Sequence, residues 1–220
     1  MIEPDWTRGL YAITDAALLP DDEHLLNACE AALRGGLALL QYRDKSDDGE
    51  KRWRQASELA ARCAAYEVPL IINDDVALAA RLRSAGHRRV GVHLGQQDGH
   101  VDEARYRLGP SAIVGVTCHD RLDLAERAVA EGASYLAFGR FFDSRTKPSA
   151  SPASLSLLEQ AGRFGLPRVA IGGVRADNIA AVRRAGADLA AAVDAVFGGQ
   201  DPEARVSELN RQLATAALDS

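Results

Sequence analysis

Eight short, largely apolar runs alternate along this 220-residue chain with segments whose apolar residues recur at helical spacing. The runs are Leu10 to Ile13, Leu37 to Gln41, Leu70 to Ile72, Val90 to His93, Ile113 to Val116, Tyr135 to Phe138, Val169 to Ile171 and Leu189 to Val193. Such runs suit strands of a parallel sheet buried on both faces. Leu25, Leu26, Cys29, Ala32 and Leu33 carry the helical period between them, as do Leu122, Ala125, Ala128 and Val129. Gly35-Gly36, Gly86, Gly132 and Gly186 each close a helical pattern shortly before an apolar run, where a left-handed cap is wanted. The alternation predicts an α/β fold, a single-domain (β/α)8 TIM barrel over residues 1–220, with a core over about 10–197 and a C-terminal helix over 202–218. An open doubly wound sheet is the alternative. Against it, no GxGxxG follows the first run, and polar residues are spread over most strand ends rather than gathered at one crevice.

Charge and composition narrow the function classes. A formal net charge of −5 provides no global attraction for nucleic acid, so anion binding must come from local clusters and a small ligand is expected. No segment has the apolar length of a membrane span, and the start Met1-Ile2-Glu3-Pro4-Asp5-Trp6 lacks a secretory pattern, so a cytoplasmic location is expected. Cys29, Cys63 and Cys118 show no CxxC spacing and read as reduced thiols. Cys118 lies near the strand-end motifs, but nothing beside it marks an activated nucleophile.

In a parallel barrel the active site is built at the C-terminal ends of the strands, so the residues following each run carry the argument. Gln41, Arg43 and Lys45 alternate along an extended segment and share a face, where an amide, a guanidinium and an ammonium can grip a phosphorylated heterocycle. In Asn73-Asp74-Asp75, Asp75 is placed to cap the helical pattern that begins at Val76, leaving Asp74 near the strand end. Asp98 follows the fourth run; it either pairs with Asp74 as a Mg2+ site or begins the next helical turn. Ser144-Arg145-Thr146-Lys147-Pro148 has the chemistry of an anion-binding loop, and Gly172-Gly173 lets backbone amides approach a phosphate at the seventh strand end. His93 and His119 have no metal-ligand spacing and read as core or supporting histidines.

Taken in order, QYRDK, INDD, GVHLGQQD, GVTCHD, FGRFFDSRTKP and AIGGV resemble thiamine phosphate synthase (thiamine-phosphate pyrophosphorylase), and the likeness runs from Leu10 to about Phe197. That family is a (β/α)8 barrel that joins a hydroxymethylpyrimidine diphosphate to a hydroxyethylthiazole phosphate, giving thiamine phosphate and pyrophosphate. The resemblance implies that Gln41, Arg43, Lys45, Asn73, Thr117 and Lys147 hold the pyrimidine diphosphate, with Arg43, Lys45, Thr117 and Lys147 as the catalytic set. It implies Asp74 and Asp98 as ligands of Mg2+, the expected cofactor, and Ser144, Arg145, Thr146, Gly173, Val193 and Asp194 as contacts of the thiazole phosphate. The expected partners are these two small phosphorylated substrates, with no nucleic acid and no membrane; oligomeric state is not legible.

The chain departs from the family pattern in places. Thr117 replaces a common serine and keeps the hydroxyl, Arg140 and Asp143 replace prolines, and Asp194 stands where a serine is common. An added carboxylate beside a bound phosphate is unfavourable unless it points away or pairs with an arginine. Two rivals remain. A thiazole tautomerase on the same barrel resembles the synthase but lacks the paired aspartates and carries a histidine in the position of Arg140; a phosphate-ligand sensor would keep the contacts and lose turnover.

Overall fold

A computed structural model of the chain describes residues 5–143 and 152–218. Eight parallel strands close into a barrel in sequence order, β1 pairing with both β2 and β8. The strands are β1 (Gly9–Ile13), β2 (Leu39–Tyr42), β3 (Leu70–Asn73), β4 (Val90–Leu94), β5 (Val114–His119), β6 (Tyr135–Phe138), β7 (Arg168–Ala170) and β8 (Leu189–Ala192). Between them lie α1 (Asp22–Arg34), α2 (Gly49–Ala65), α3 (Val76–Ser84), α4 (Val101–Leu108), α5 (Leu122–Ala130), α6 (Ser156–Ala161) and α7 (Ile179–Arg184). A short α8 (Asp194–Phe197) and the long α9 (Pro202–Leu218) complete the chain. The barrel reading of the sequence holds, and the doubly wound alternative does not.

Strand alternation divides the core into two parts. Leu10, Ala12, Leu40, Leu70, Ile72, Val92, Val114, Leu136 and Phe138 face outward into the layer shared with the helices. Tyr11, Ile13, Leu39, Ile71, Tyr135, Ala137, Val169, Leu189 and Ala191 fill the barrel itself. Because side chains alternate at every residue, the inward set continues at the strand ends through Gln41, Asn73, His93 and Thr117. The apolar plug of the barrel is therefore capped by polar groups at the C-terminal mouth.

Gly36, Gly86, Gly132 and Gly186 adopt φ of 94°, 103°, 91° and 97°, the left-handed geometry expected after the helices. Cys29 and Cys63 are buried in the helix layer, as their spacing indicates. Among the described residues, no helix is long and apolar enough to cross a membrane.

Candidate active site

The mouth is assembled from strand-end segments whose local geometry is readable. After β2, the Arg43 amide donates to Thr14 Oγ1 at 2.9 Å, tying the segment to the end of β1, and the Arg43 guanidinium lies 3.7 Å from Asp15. Asp44, between the two cations, is buried and bonded to Lys51 at 2.7 Å. Burial alone would raise its carboxyl, but Lys51 and the Ser46 backbone and hydroxyl hold it at about 2. Asp44 thus has its own counter-ion, which leaves Arg43 and Lys45 available to other charge.

After β3, Asp75 caps α3 by accepting from the Leu78 amide at 2.8 Å. Asp74 is left at φ 62°, with its amide donating to the His93 carbonyl at 2.8 Å. Its Oδ2 accepts from Asn73 Nδ2 at 2.6 Å and lies 3.3 Å from Lys45 Nζ. Asp98 does not cap the following helix. It accepts from the Gly95 amide at 3.0 Å, and its carboxyl meets that of Asp74. Burial and the neighbouring Asp74 carboxylate hold the Asp98 carboxyl above the usual aspartate range, Lys45 acting the other way. Two carboxylates brought together, one of them holding its proton more tightly than an isolated aspartate, are a fit for a divalent cation, which would relieve the repulsion. The donors are hard oxygens, as Mg2+ requires, and among the described residues no third His, Cys, Asp or Glu joins them. Two carboxylates with the rest of the shell left to phosphate and water match the habit of Mg2+.

A cavity of about 420 Å3 opens beside this pair, lined in part by Arg52, Asp74, Asp75, Asp98, His100 and Arg107. On the interior side, Gln41 Nε2 donates to the Tyr11 hydroxyl at 2.6 Å, and the Tyr11 and Tyr135 hydroxyls are 2.8 Å apart. The Tyr135 hydroxyl is 2.9 Å from His93 Nδ1, and His93 Nε2 is 2.8 Å from Thr117 Oγ1. Burial pushes the His93 imidazole down to about 4, so it is neutral near pH 7. His93 is the supporting histidine its strand position suggests. His119 is not: a register shift between Thr117 and His119 ends β5, His119 takes φ 52° and its side chain is exposed. The extra residue in the bulge is Cys118, which keeps the outward parity of Val116 and lies in the helix layer. Burial pushes its thiol up to about 12, which removes it as a nucleophile.

At β7 and β8 the chain forms a second lobe of the mouth. Gly172 and Gly173 have φ of 98° and 68°, and a Cβ on either would meet the segment after β6: 2.3 Å from Arg140 Cβ and 2.5 Å from the Asp143 carbonyl oxygen. The Gly-Gly turn therefore seats the start of the segment that leads to Ser144, Arg145, Thr146 and Lys147. Those four residues lie outside the described residues. Arg140 and Asp143 approach each other at 3.7 Å, so the two charges that stand in place of prolines offset one another. Val193 leads into α8, where Asp194 is exposed and its Oδ1 lies 2.5 Å from where a Cβ on Gly198 would stand. The carboxylate is thus drawn along α8, away from the helix start.

The family model for thiamine monophosphate synthase matches residues 10–196. The chain belongs to the thiamine monophosphate synthase family. It is 53% identical over 208 residues to the thiamine-phosphate synthase of Marinobacter nauticus, covering 94% of this chain and 91% of that protein. Identity to the thiamine-phosphate synthase of Alcanivorax borkumensis is also 53%, over 207 residues, covering 94% and 92%. Among solved structures, the thiamine phosphate pyrophosphorylase of Pyrococcus furiosus superposes with a TM-score of 0.83 at 27% identity, covering 96% of this chain and 97% of that one. Membership in the family implies an enzyme of thiamine phosphate synthesis acting on small phosphorylated molecules. Within that family frame, the residues that sequence reading overlooked are Tyr11 and Tyr135. A signal existed: a tyrosine at an inward strand position must find a partner for its hydroxyl.

Proposed function

We propose that the protein condenses 4-amino-2-methyl-5-(diphosphooxymethyl)pyrimidine with 4-methyl-5-(2-phosphooxyethyl)thiazole, or its carboxylated form, releasing pyrophosphate and giving thiamine phosphate. The observation that carries this reading is the convergence of Lys45, Asp74 and Asp98 at the mouth: a cation and two adjoining carboxylates beside the polar ends of β2, β3 and β5. Asp74 and Asp98 would hold Mg2+, which supplies charge neutralisation to the diphosphate. Arg43 and Lys45 would stabilise the charge that grows on the diphosphate as its bond to the pyrimidine methylene breaks, with Lys147 completing the set. Gln41, Asn73 and Thr117 would orient the pyrimidine so that the thiazole nitrogen faces the methylene carbon. Ser144, Arg145, Thr146, Gly173, Val193 and Asp194 would hold the thiazole phosphate. No side chain need form a covalent intermediate, in keeping with the buried, protonated state of Cys118.

The test is to incubate the purified chain with both substrates and Mg2+, following thiamine phosphate and pyrophosphate by chromatography with a chelator control. Equal, chelator-sensitive yields of both products are expected. Isomerisation of the thiazole without coupling would point to the tautomerase instead, and binding without products to a sensor.

Two further outcomes follow from the site. Asp98 binds its proton more tightly in the folded chain than an isolated aspartate does, so the ion-free protein loses stability as pH rises through that raised value. Mg2+ competes with this proton. Its affinity, read by calorimetry, is therefore expected to weaken as pH falls through the Asp98 transition, and an affinity indifferent to pH would remove the pair as the site. Asp194→Ser is expected to leave thiazole-phosphate affinity unchanged or improved, because the carboxylate is drawn toward Gly198. A large loss of affinity on titration would mean that Asp194 makes a useful contact.

A further inference from the structure

One continuous hydrogen-bonded chain crosses the top of the barrel interior, from Gln41 through Tyr11, Tyr135 and His93 to Thr117. Its two ends are the residues assigned above to the pyrimidine; the three between them have no assigned role. The chain has a direction, because each member has few protons to give. The Tyr11 hydroxyl accepts from the Gln41 amide, so its single proton passes to Tyr135. The Tyr135 hydroxyl then donates to His93 Nδ1, and an imidazole that accepts at Nδ1 carries its proton on Nε2. Nε2 donates to Thr117 Oγ1, so the proton of Thr117 itself must point out of the chain. At the other end, Gln41 Oε1 makes no hydrogen bond to another described residue.

We propose that Tyr11, Tyr135 and His93 are positioning residues that polarise the mouth, presenting an acceptor at Gln41 and a hydroxyl donor at Thr117. That pattern is complementary to a heteroaromatic ring bearing an exocyclic amine next to a ring nitrogen. The proposal rests on Gln41 and Thr117 being the pyrimidine contacts. The rings in the middle are held in place by packing as well as by their hydrogen bonds. Tyr135 is fully buried, stacks on His93 at 5.7 Å and 16°, and meets Tyr11 edge-on at 5.9 Å and 86°. Gly115 opens the space for it: a Cβ there would stand 1.9 Å from Tyr135 Cζ. Reversal of the chain would put the imidazole proton on Nδ1, consume the Thr117 proton at Nε2 and turn the Gln41 amide, so the His93 tautomer reports the polarity of both ends.

The experiment is 15N long-range correlation NMR of the full chain, with His93 assigned by the signal lost in His93→Gln, combined with kinetics of Tyr135→Phe. The Nε2–H tautomer is expected in the wild type and lost to a mixture in both Tyr11→Phe and Tyr135→Phe. Tyr135→Phe is expected to raise KM for the pyrimidine diphosphate at least fivefold and to leave KM for the thiazole phosphate within twofold. An Nδ1–H imidazole in the wild type would overturn the proposal. So would equal changes in both KM values, which is what a merely structural role predicts. Because the tautomer is read without turnover, Nε2–H in a wild type that makes no thiamine phosphate would support the polarity while removing the reaction.

Discussion

Asp74→Asn is expected to lower kcat by at least tenfold while moving the thermal midpoint by only a few degrees. Asparagine is the informative replacement because Asp74 sits at φ 62°, a conformation that Asp and Asn tolerate better than other side chains. Alanine would add backbone strain of about 1 kcal/mol to the loss of charge and blur the result. In the asparagine variant the amide still donates to the His93 carbonyl, so the end of β3 stays in place. What disappears is one negative charge, and with it a ligand for the cation, the partner of Lys45 at 3.3 Å and the neighbour that raises the Asp98 carboxyl. Charge stabilisation of a leaving group contributes about 3 to 4 kcal/mol per well-placed donor, so a tenfold loss is a lower bound. A wild-type rate at saturating Mg2+ would show that the catalytic metal is not held here. The same variant separates the two carboxylates by titration: Asp98, freed of its neighbour, should return toward an ordinary aspartate.

The barrel was legible because its strands are apolar on both faces and end abruptly in polar residues. Gln41, Asn73 and Thr117 stood out for that reason, and the structure places each at the inward parity of its strand end. Asp75 was legible as a cap because an Asx residue before a helical period has one common use. Asp98 was ambiguous from sequence, since an aspartate just ahead of a helix can cap it or face a ligand. The turn Gly95 to Asp98 resolves this by bonding the carboxylate back to the Gly95 amide and leaving His100 at the start of α4. Features that depend on distant partners were not legible. Tyr11 and Tyr135 lie 124 residues apart and each looks like ordinary core within its run. His119 was misread because one extra residue at the end of β5 reverses the facing of everything beyond it. The four-residue α8 is too short for any period to show.

Gly115→Ala, a change of one methyl group in a strand, is expected to cost about 3 kcal/mol or more and so to lower the thermal midpoint by roughly 6–12 °C. Backbone strain is not the cause, for Gly115 lies within β5 and its φ is outside the left-handed region. The cost is steric: the new Cβ would fall 1.9 Å from Tyr135 Cζ and 2.3 Å from both its Cε2 and its hydroxyl oxygen. A flexible surface chain would swing aside, but this ring is boxed by His93, by Tyr11 and by Trp6 at 6.4 Å. Moving it breaks the hydrogen bonds to Tyr11 and His93 and leaves buried polar groups without partners, each a further cost of about 1–3 kcal/mol. Gly49→Ala is the matched control, because Gly49 opens α2 and a Cβ there meets nothing within 4 Å. It should change stability by less than about 1 kcal/mol, and in the favourable direction, since alanine loses less backbone freedom on folding. If both variants melt alike, Tyr135 has room to retreat and the barrel interior is looser than its packing implies. If only Gly115→Ala falls, and its remaining folded fraction binds the pyrimidine diphosphate poorly, the single missing methyl at Gly115 is what lets a buried tyrosine join the two sides of the mouth.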